Sequence, residues 1–325
     1  MKFRNALTKK EGIYLTKETP NNLLMPHITE AEAKKKVSEM NLIEGFLFRS
    51  ATEKTEDAQI VVGGILQTIF NRKIVIKEIT SEKVFQALDT NLHGVRFDIH
   101  ATEKKESDEM VATNVDVEME TRVADKKTLP KRLRYYTSLP DSKALISGED
   151  YDKLPNFISV TILSYDPFDA GDMYYEARSV LTTHPNIEYN DGVLHIYLYC
   201  NGRPNFFDSD SPIKLSHKHG KKLMEMLKYI VSGQKPETVN KVIEDIDTVV
   251  SEVKDRPEVT SAYMKEWERE LAIKEDARTE DAINLISFCF DNGISTDKII
   301  ANLKKDYGYE NEKIKELFNK ADVKI

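Results

Sequence analysis

The sequence predicts a mixed α/β (α+β) fold, in which a mixed central sheet is flanked by helices and followed by an all-helical extension. Three observations carry this. A segment with helical periodicity precedes extended segments whose apolar and polar residues alternate. Two later segments are mostly apolar, as strands buried on both faces are, and everything past Gly233 is charged and helical in pattern.

Composition sets the frame. The chain of 325 residues is 40% hydrophobic and 31% charged, as an ordinary globular protein is. No run of about 18 apolar residues occurs, which excludes a membrane-spanning helix. The basic opening MKFRNALTKKEGIYL lacks the apolar stretch of a secretory signal, so a cytoplasmic location is expected. Cys200 and Cys289 form no Cys-x-x-Cys pair, which argues against a disulfide framework or a structural zinc site. A net charge of -8 does not advertise nucleic-acid binding, nor does it forbid it, because a local basic face or a bound divalent cation sets the local field.

In chain order, residues 1–40 are polar, Lys/Glu-rich and weakly periodic, which predicts an arm. Ile60, Val61, Gly64, Ile65, Ile69 and Phe70 recur at helical spacing, predicting a helix over 55–71. KIVIKEI (73–79) and GVRFDIHA (94–101) alternate as strands; in the second, Val95, Phe97 and Ile99 oppose Arg96, Asp98 and His100. NVDVEMET (114–121) alternates again, and the polar TEKKESDEM between the last two suggests a hairpin. Thr128 is placed to cap a helix with Pro130 in its first turn. FISVTIL (157–163) and VLHIYLYC (193–200) read as buried strands. Beyond residue 236 the pattern gives helices near 279–291, 296–305 and 310–321, with Asp291-Asn-Gly293 as a helix stop. The expected organisation is an arm (1–40), a core (41–236) and a helical extension (237–325). The extension has the outline of a helix-turn-helix, but nothing basic is concentrated at its second helix, so packing on the core or on a second subunit is the better explanation.

NVDVEMET raises a question of charge. In a strand, Asp116, Glu118 and Glu120 share one face, and hairpin pairing brings Asp98 beside them. Facing like charges destabilise a sheet and burial penalises each charged carboxylate, whereas a divalent cation relieves both costs. Oxygen donors of this kind suit Mg²⁺ or Mn²⁺. A solvated hairpin face explains the same spacing equally well.

Several linked motifs decide between these readings. Arg96-Phe-Asp98-Ile99 is followed by Asp116-Val-Glu118-Met119, Lys131-Arg132 with Tyr135-Tyr136, Gly148-Glu-Asp-Tyr151-Asp-Lys-Leu154 and an apolar strand leading to Asp166-Pro-Phe168. In this order they resemble the PD-(D/E)XK nuclease family transposases, also called recombination-promoting nucleases, over about residues 42–236. The resemblance implies a restriction-endonuclease-like core and metal-dependent hydrolysis of DNA phosphodiesters. It implies Asp98, Glu118 and Glu120 as catalytic residues, Asp98 and Glu118 as Mg²⁺ (or Mn²⁺) ligands, and Arg132 and Tyr136 as DNA-binding residues. Asp116 is read as a polar strand residue ahead of a peripheral metal ligand, and Glu56 as part of a solvated helix face ahead of the carboxylate that the first core helix often contributes.

One position departs from the pattern. Glu120 stands where the family usually has Gln and the wider superfamily Lys; a carboxylate there would accept a proton or add a metal ligand. The alternative is therefore a catalytically impaired member that serves as a DNA-binding or protein-interaction module. Cutting both strands asks for two active sites, which favours a homodimer with the C-terminal helices as candidate interface. His217-Lys-His219 reads as a surface pair, and the sole tryptophan, Trp267, as packing against a neighbouring helix.

Overall fold

The computed structural model describes residues 27–74, 76–81, 84–85, 95–96, 98–103, 112–123 and 126–324. Phe97, residues 104–111 and the leader before residue 27 lie outside the described residues. Residues 30–273 form one compact unit, and the residues from Lys274 onward belong to a second.

The first unit opens with helices α1 (Glu30–Glu39), α2 (Gly45–Ala51) and α3 (Thr55–Phe70). The end of the expected arm is thus a helix. Ala33 and Val37, one turn apart, are fully buried on it, a stripe too narrow to stand out in a Lys/Glu-rich segment. α3 matches the expected helix and is followed by β1 (Ile76–Ser81), β2 (Val84–Phe85), β3 (Val95–Arg96), β4 (Ile99–Glu103) and β5 (Thr113–Glu120). The expected strand over 94–101 is broken: β3 pairs with β2 in a separate two-stranded sheet, the chain bends at Asp98, and β4 enters the main sheet. Helix α4 (Leu129–Asp141) leads to β6 (Asn156–Leu163), β7 (Tyr174–Ala177) and β8 (Val193–Tyr199).

The main sheet has six strands in the order β1-β4-β5-β6-β8-β7. β1, β4 and β5 pair antiparallel, β5, β6 and β8 parallel, and β7 returns antiparallel on β8. The mixed α/β architecture expected from the sequence is the observed one. Alternation sorts the two faces of this sheet. Val115, Val117 and Met119 of β5 face a large core shared with Val61 and Ile65 of α3 and with helices α5 (His217–Ser232) and α6 (Lys241–Asp255). The opposite face carries Asp116, Glu118 and Glu120, and α4 shields that side by packing Leu129 and Leu133 on Leu163 and Tyr197. Burying polar strand residues under an amphipathic helix is what shapes the site.

His219, expected at the surface, is buried, and its Nε2 lies 2.9 Å from the Thr68 carbonyl and 3.1 Å from that of Ile69. It bonds the last turn of α3 to the start of α5, and its Nε2 edge is used by backbone. Helix α7 (Pro257–Asp291) continues beyond the first unit. In the second unit its last turns share a core with α8 (Thr296–Asn302) and α9 (Asn311–Lys320) through Ile286, Ile299, Leu317 and Phe318. Gly293, with φ +72°, terminates α7 as the Asp-Asn-Gly stretch predicts.

Gly63 and Gly64 sit inside α3 for different reasons. A Cβ on Gly64 would lie 2.9 Å from Val242 Cγ1 and 3.0 Å from Ile246 Cδ1, so the residue permits close contact with α6. A Cβ on Gly63 would meet only Ile76 Cδ1, at an ordinary 3.9 Å. Gly63→Ala is therefore expected to stabilise the protein by roughly 0.5–1 kcal/mol. Gly64→Ala, which separates α3 from α6, should destabilise it by about 1–3 kcal/mol in urea unfolding.

Candidate active site

The acids of β5 lie on one stripe because a strand repeats every two residues. All three are buried: Asp116 is 1% exposed, Glu118 8% and Glu120 7%. β4 and β5 pair with Ile99 opposite Val117 and His100 opposite Asp116. Carrying this register one step further sets Asp98 opposite Glu118, at the point where the chain bends into β4. Asp98 and Glu118 line one cleft of about 480 Å³ together with Glu120, Arg132 and Tyr136.

α4 delivers the neutralising charge. Arg132 and Tyr136, one turn apart, share the face of α4 that looks along this stripe. Arg132 Nη2 donates to Glu120 Oε2 at 2.6 Å and lies 3.7 Å from Glu118 Oε2. Its guanidinium also stands 5.9 Å from the centre of the Tyr136 ring. The other Glu120 oxygen, Oε1, accepts from the Arg122 backbone N–H at 2.7 Å. Both oxygens of Glu120 are thus engaged by the protein itself.

The electrostatics follow from this crowding. Burial pushes Glu118 up to about 8; Arg132 opposes the shift, and Asp98 and Glu120 add to it. Asp116 is raised well above the ordinary carboxylate range by burial first and then by Glu118 and Asp98. Burial works against the Arg132 charge, but the Glu120 hydrogen bond and the Glu118 carboxylate outweigh it, leaving Arg132 above its usual value. Tyr136 is pushed up to about 12 by burial and by Glu118, so it remains a neutral hydroxyl.

Whether these residues suit a divalent cation is answered by Asp116 and by the donor types. Both Asp116 oxygens are buried with no hydrogen-bond partner among the described residues, a costly state unless a positive charge approaches. No group of three or more His, Cys, Asp or Glu side chains is already gathered as a metal site among the described residues. Two carboxylates opening on a cleft fit a hard cation that retains waters and completes its shell from a phosphate.

The structure thus brings together Asp98, Glu118, Glu120, Arg132 and Tyr136, with Asp116 behind Glu118. It does not bring Glu56: that residue is exposed in the first turn of α3 and is not among those lining the cleft. The acid that the N-terminal helices do contribute is Glu44, just ahead of α2, whose Oε1 accepts from the Asn41 N–H at 2.9 Å. The cleft is completed by Arg49 of α2 and by Tyr263, Glu266, Trp267 and Glu270 of α7. Trp267 therefore opens on the cleft rather than serving only to pack helices. Asp166 organises the loop after β6: Oδ1 accepts from the Phe168 N–H at 3.0 Å and the Tyr175 hydroxyl at 2.9 Å, and Oδ2 from the Gly171 N–H at 2.6 Å.

A family model described as PD-(D/E)XK nuclease family transposase matches residues 43–269. No curated protein and no solved structure gives a significant match.

Three expected outcomes follow from the geometry. A carboxyl with a raised value keeps, in the fold, a proton that the unfolded chain has lost; between the ordinary 4.5 and about 8, Glu118 thus makes stability fall as pH rises. Glu118→Gln should flatten that part of the stability profile, read from melting temperatures across the same range. Arg132→Ala, which strands buried carboxylates, should cost on the order of 3 kcal/mol in urea unfolding. Glu120→Gln, which keeps an acceptor for Arg132, should cost about 1 kcal/mol.

Proposed function

Because the chain belongs to the PD-(D/E)XK nuclease family transposases, whose core is the restriction-endonuclease-like α/β fold, we propose that it is a metal-dependent DNA endonuclease that hydrolyses phosphodiester bonds. The observation that carries the reading is the convergence on one cleft of Glu118, from β5, and Asp98, from the bend that leads into its antiparallel neighbour β4. Asp98 and Glu118 would hold Mg²⁺ or Mn²⁺, which when bound polarises the scissile phosphate and lowers the pKa of a water. Asp116, buried behind Glu118, adds a further carboxyl group whose ionisation a cation at this point would favour.

In this reading Glu120 is a positioning residue. It fixes the guanidinium of Arg132 beside Glu118, where Lys or Gln would otherwise act directly. Arg132 then supplies the positive charge that meets the phosphate as negative charge develops on it. Tyr136 carries a neutral hydroxyl on the same face and adds a hydrogen-bond donor for a phosphate oxygen. The same reading has the protein act on DNA in the cytoplasm as a homodimer joined through its C-terminal helices; among the described residues no helix is long and apolar enough to cross a membrane. A second reading, a member that binds DNA without turnover, draws on one observation: both Glu120 oxygens are already taken by Arg132 and Arg122.

Supercoiled plasmid with Mg²⁺ or Mn²⁺ separates the two. The endonuclease reading expects nicking that falls by about a thousandfold or more in Asp98→Ala and Glu118→Ala. It also expects nicking retained in Glu120→Gln and lost in Arg132→Ala. Nicking that persists in both acid-to-alanine variants would reject the assigned site, and binding without any nicking by the wild type would support the second reading.

A further inference from the structure

The cleft has two walls of different chemistry. One is the carboxylate and guanidinium side formed by β5 and α4. The other is built by the segment entering α2 and by the first half of α7, and it presents Phe46, Tyr263 and Trp267 interleaved with Glu44, Glu266 and Glu270. On α7 the spacing 263, 266, 267, 270 is one face of a helix, so aromatic and acidic side chains stand in alternation toward the same space.

That second wall is unsuited to a phosphate. Its cation, Arg49, is held by Glu266, with the single nitrogen Nη2 shared between Oε1 at 2.8 Å and Oε2 at 3.1 Å. A phosphate laid against it would meet the carboxylates of Glu44, Glu266 and Glu270, whereas the opposite wall offers the guanidinium of Arg132. The wall suits instead a flat, uncharged group that stacks and donates hydrogen bonds. A nucleobase with an exocyclic amino group has both properties: adenine, cytosine and guanine carry such donors, and thymine does not. A carboxylate oxygen keeps a second lone pair after one bond, so Glu266 can accept from a base while holding Arg49. Phe46 and Tyr263 already stand edge to face, with ring centres 5.1 Å apart, which braces the wall. The cleft volume, about 480 Å³, is ample for one base beside the reacting phosphate.

We propose that the α2–α7 wall is a pocket for one unstacked, amino-bearing nucleobase next to the phosphate to be cut. This rests on the endonuclease reading for the identity of the neighbouring phosphate. A base inside a duplex cannot reach such a wall, so the preferred substrate is single-stranded or distorted DNA, or a duplex from which one nucleotide is turned out.

Trp267 is the only tryptophan in the chain, so its fluorescence reports the wall directly. Wild-type protein is titrated, with Ca²⁺ as the cation, with short single-stranded oligonucleotides of equal length and charge. One series is all adenine, one all thymine and one abasic; binding is followed in parallel by anisotropy of an end label. The adenine series should quench Trp267 and bind roughly tenfold or more tighter than the abasic series, with thymine between them. Equal binding and equal quenching by adenine and abasic strands overturns the pocket, as does binding of neither strand or binding that leaves Trp267 unchanged. Plasmid nicking with Mg²⁺ is scored separately: nicking without base discrimination rejects the pocket alone, and base discrimination without nicking rejects the endonuclease reading alone.

Discussion

The repulsion among carboxylates buried on a single strand is the constraint on which the rest of this structure turns. A period of two places Asp116, Glu118 and Glu120 on one face, and pairing with β4 adds Asp98 to them. On an exposed hairpin that stripe would be harmless. Here α4 covers the neighbouring part of the sheet, the three acids of β5 are buried, and the charged forms of Asp116 and Glu118 are disfavoured. The fold relieves only part of this. Arg132 answers Glu120 and reaches toward Glu118, while Asp116 stays without a partner among the described residues. In the proposed reading a bound cation would relieve the remainder, a demand that an ion-pair network built for stability alone does not make.

The framework around this stripe is rigid where rigidity matters. β5 is a central strand with a neighbour on each side, so its side-chain directions are fixed by two ladders. α4 is held to the same sheet by Leu129 and Leu133, which sets where Arg132 points. Asp98 is different, since it sits at a bend between two sheets rather than within a ladder. One carboxylate is therefore fixed by the sheet and the other by a corner in the chain.

Much of this was legible in the sequence, and what was not has physical reasons. Alternation revealed β5 and the shared face of its acids, because a period of two needs only five or six residues to show. The order of motifs around Asp98, Glu118, Arg132 and Asp166 carried the family, and the apolar runs at 157–163 and 193–200 marked the buried parallel strands. Local pattern could not show that the strand over 94–101 breaks at Asp98, because both pieces keep the same alternation and only pairing partners differ. Nor could it choose between Glu56 and Glu44: both are acids near the start of a helix, and only the packing of α2 and α3 decides which one meets the cleft. The contribution of α7 was visible in form, as Tyr263, Glu266, Trp267 and Glu270 at helical spacing, but nothing local says that this face meets a site more than 120 residues earlier in the chain.

The ion pair between Glu120 and Arg132 also bears on how this chain can change over generations. With a neutral amide at 120, the residue at 132 would be free to lose its charge at modest cost. With a carboxylate there, losing the guanidinium first strands a buried anion, and losing the carboxylate first sets the guanidinium adrift beside Glu118. The order of change therefore matters: an amide at 120, which keeps an acceptor for Arg132, opens a route that losing the guanidinium first does not.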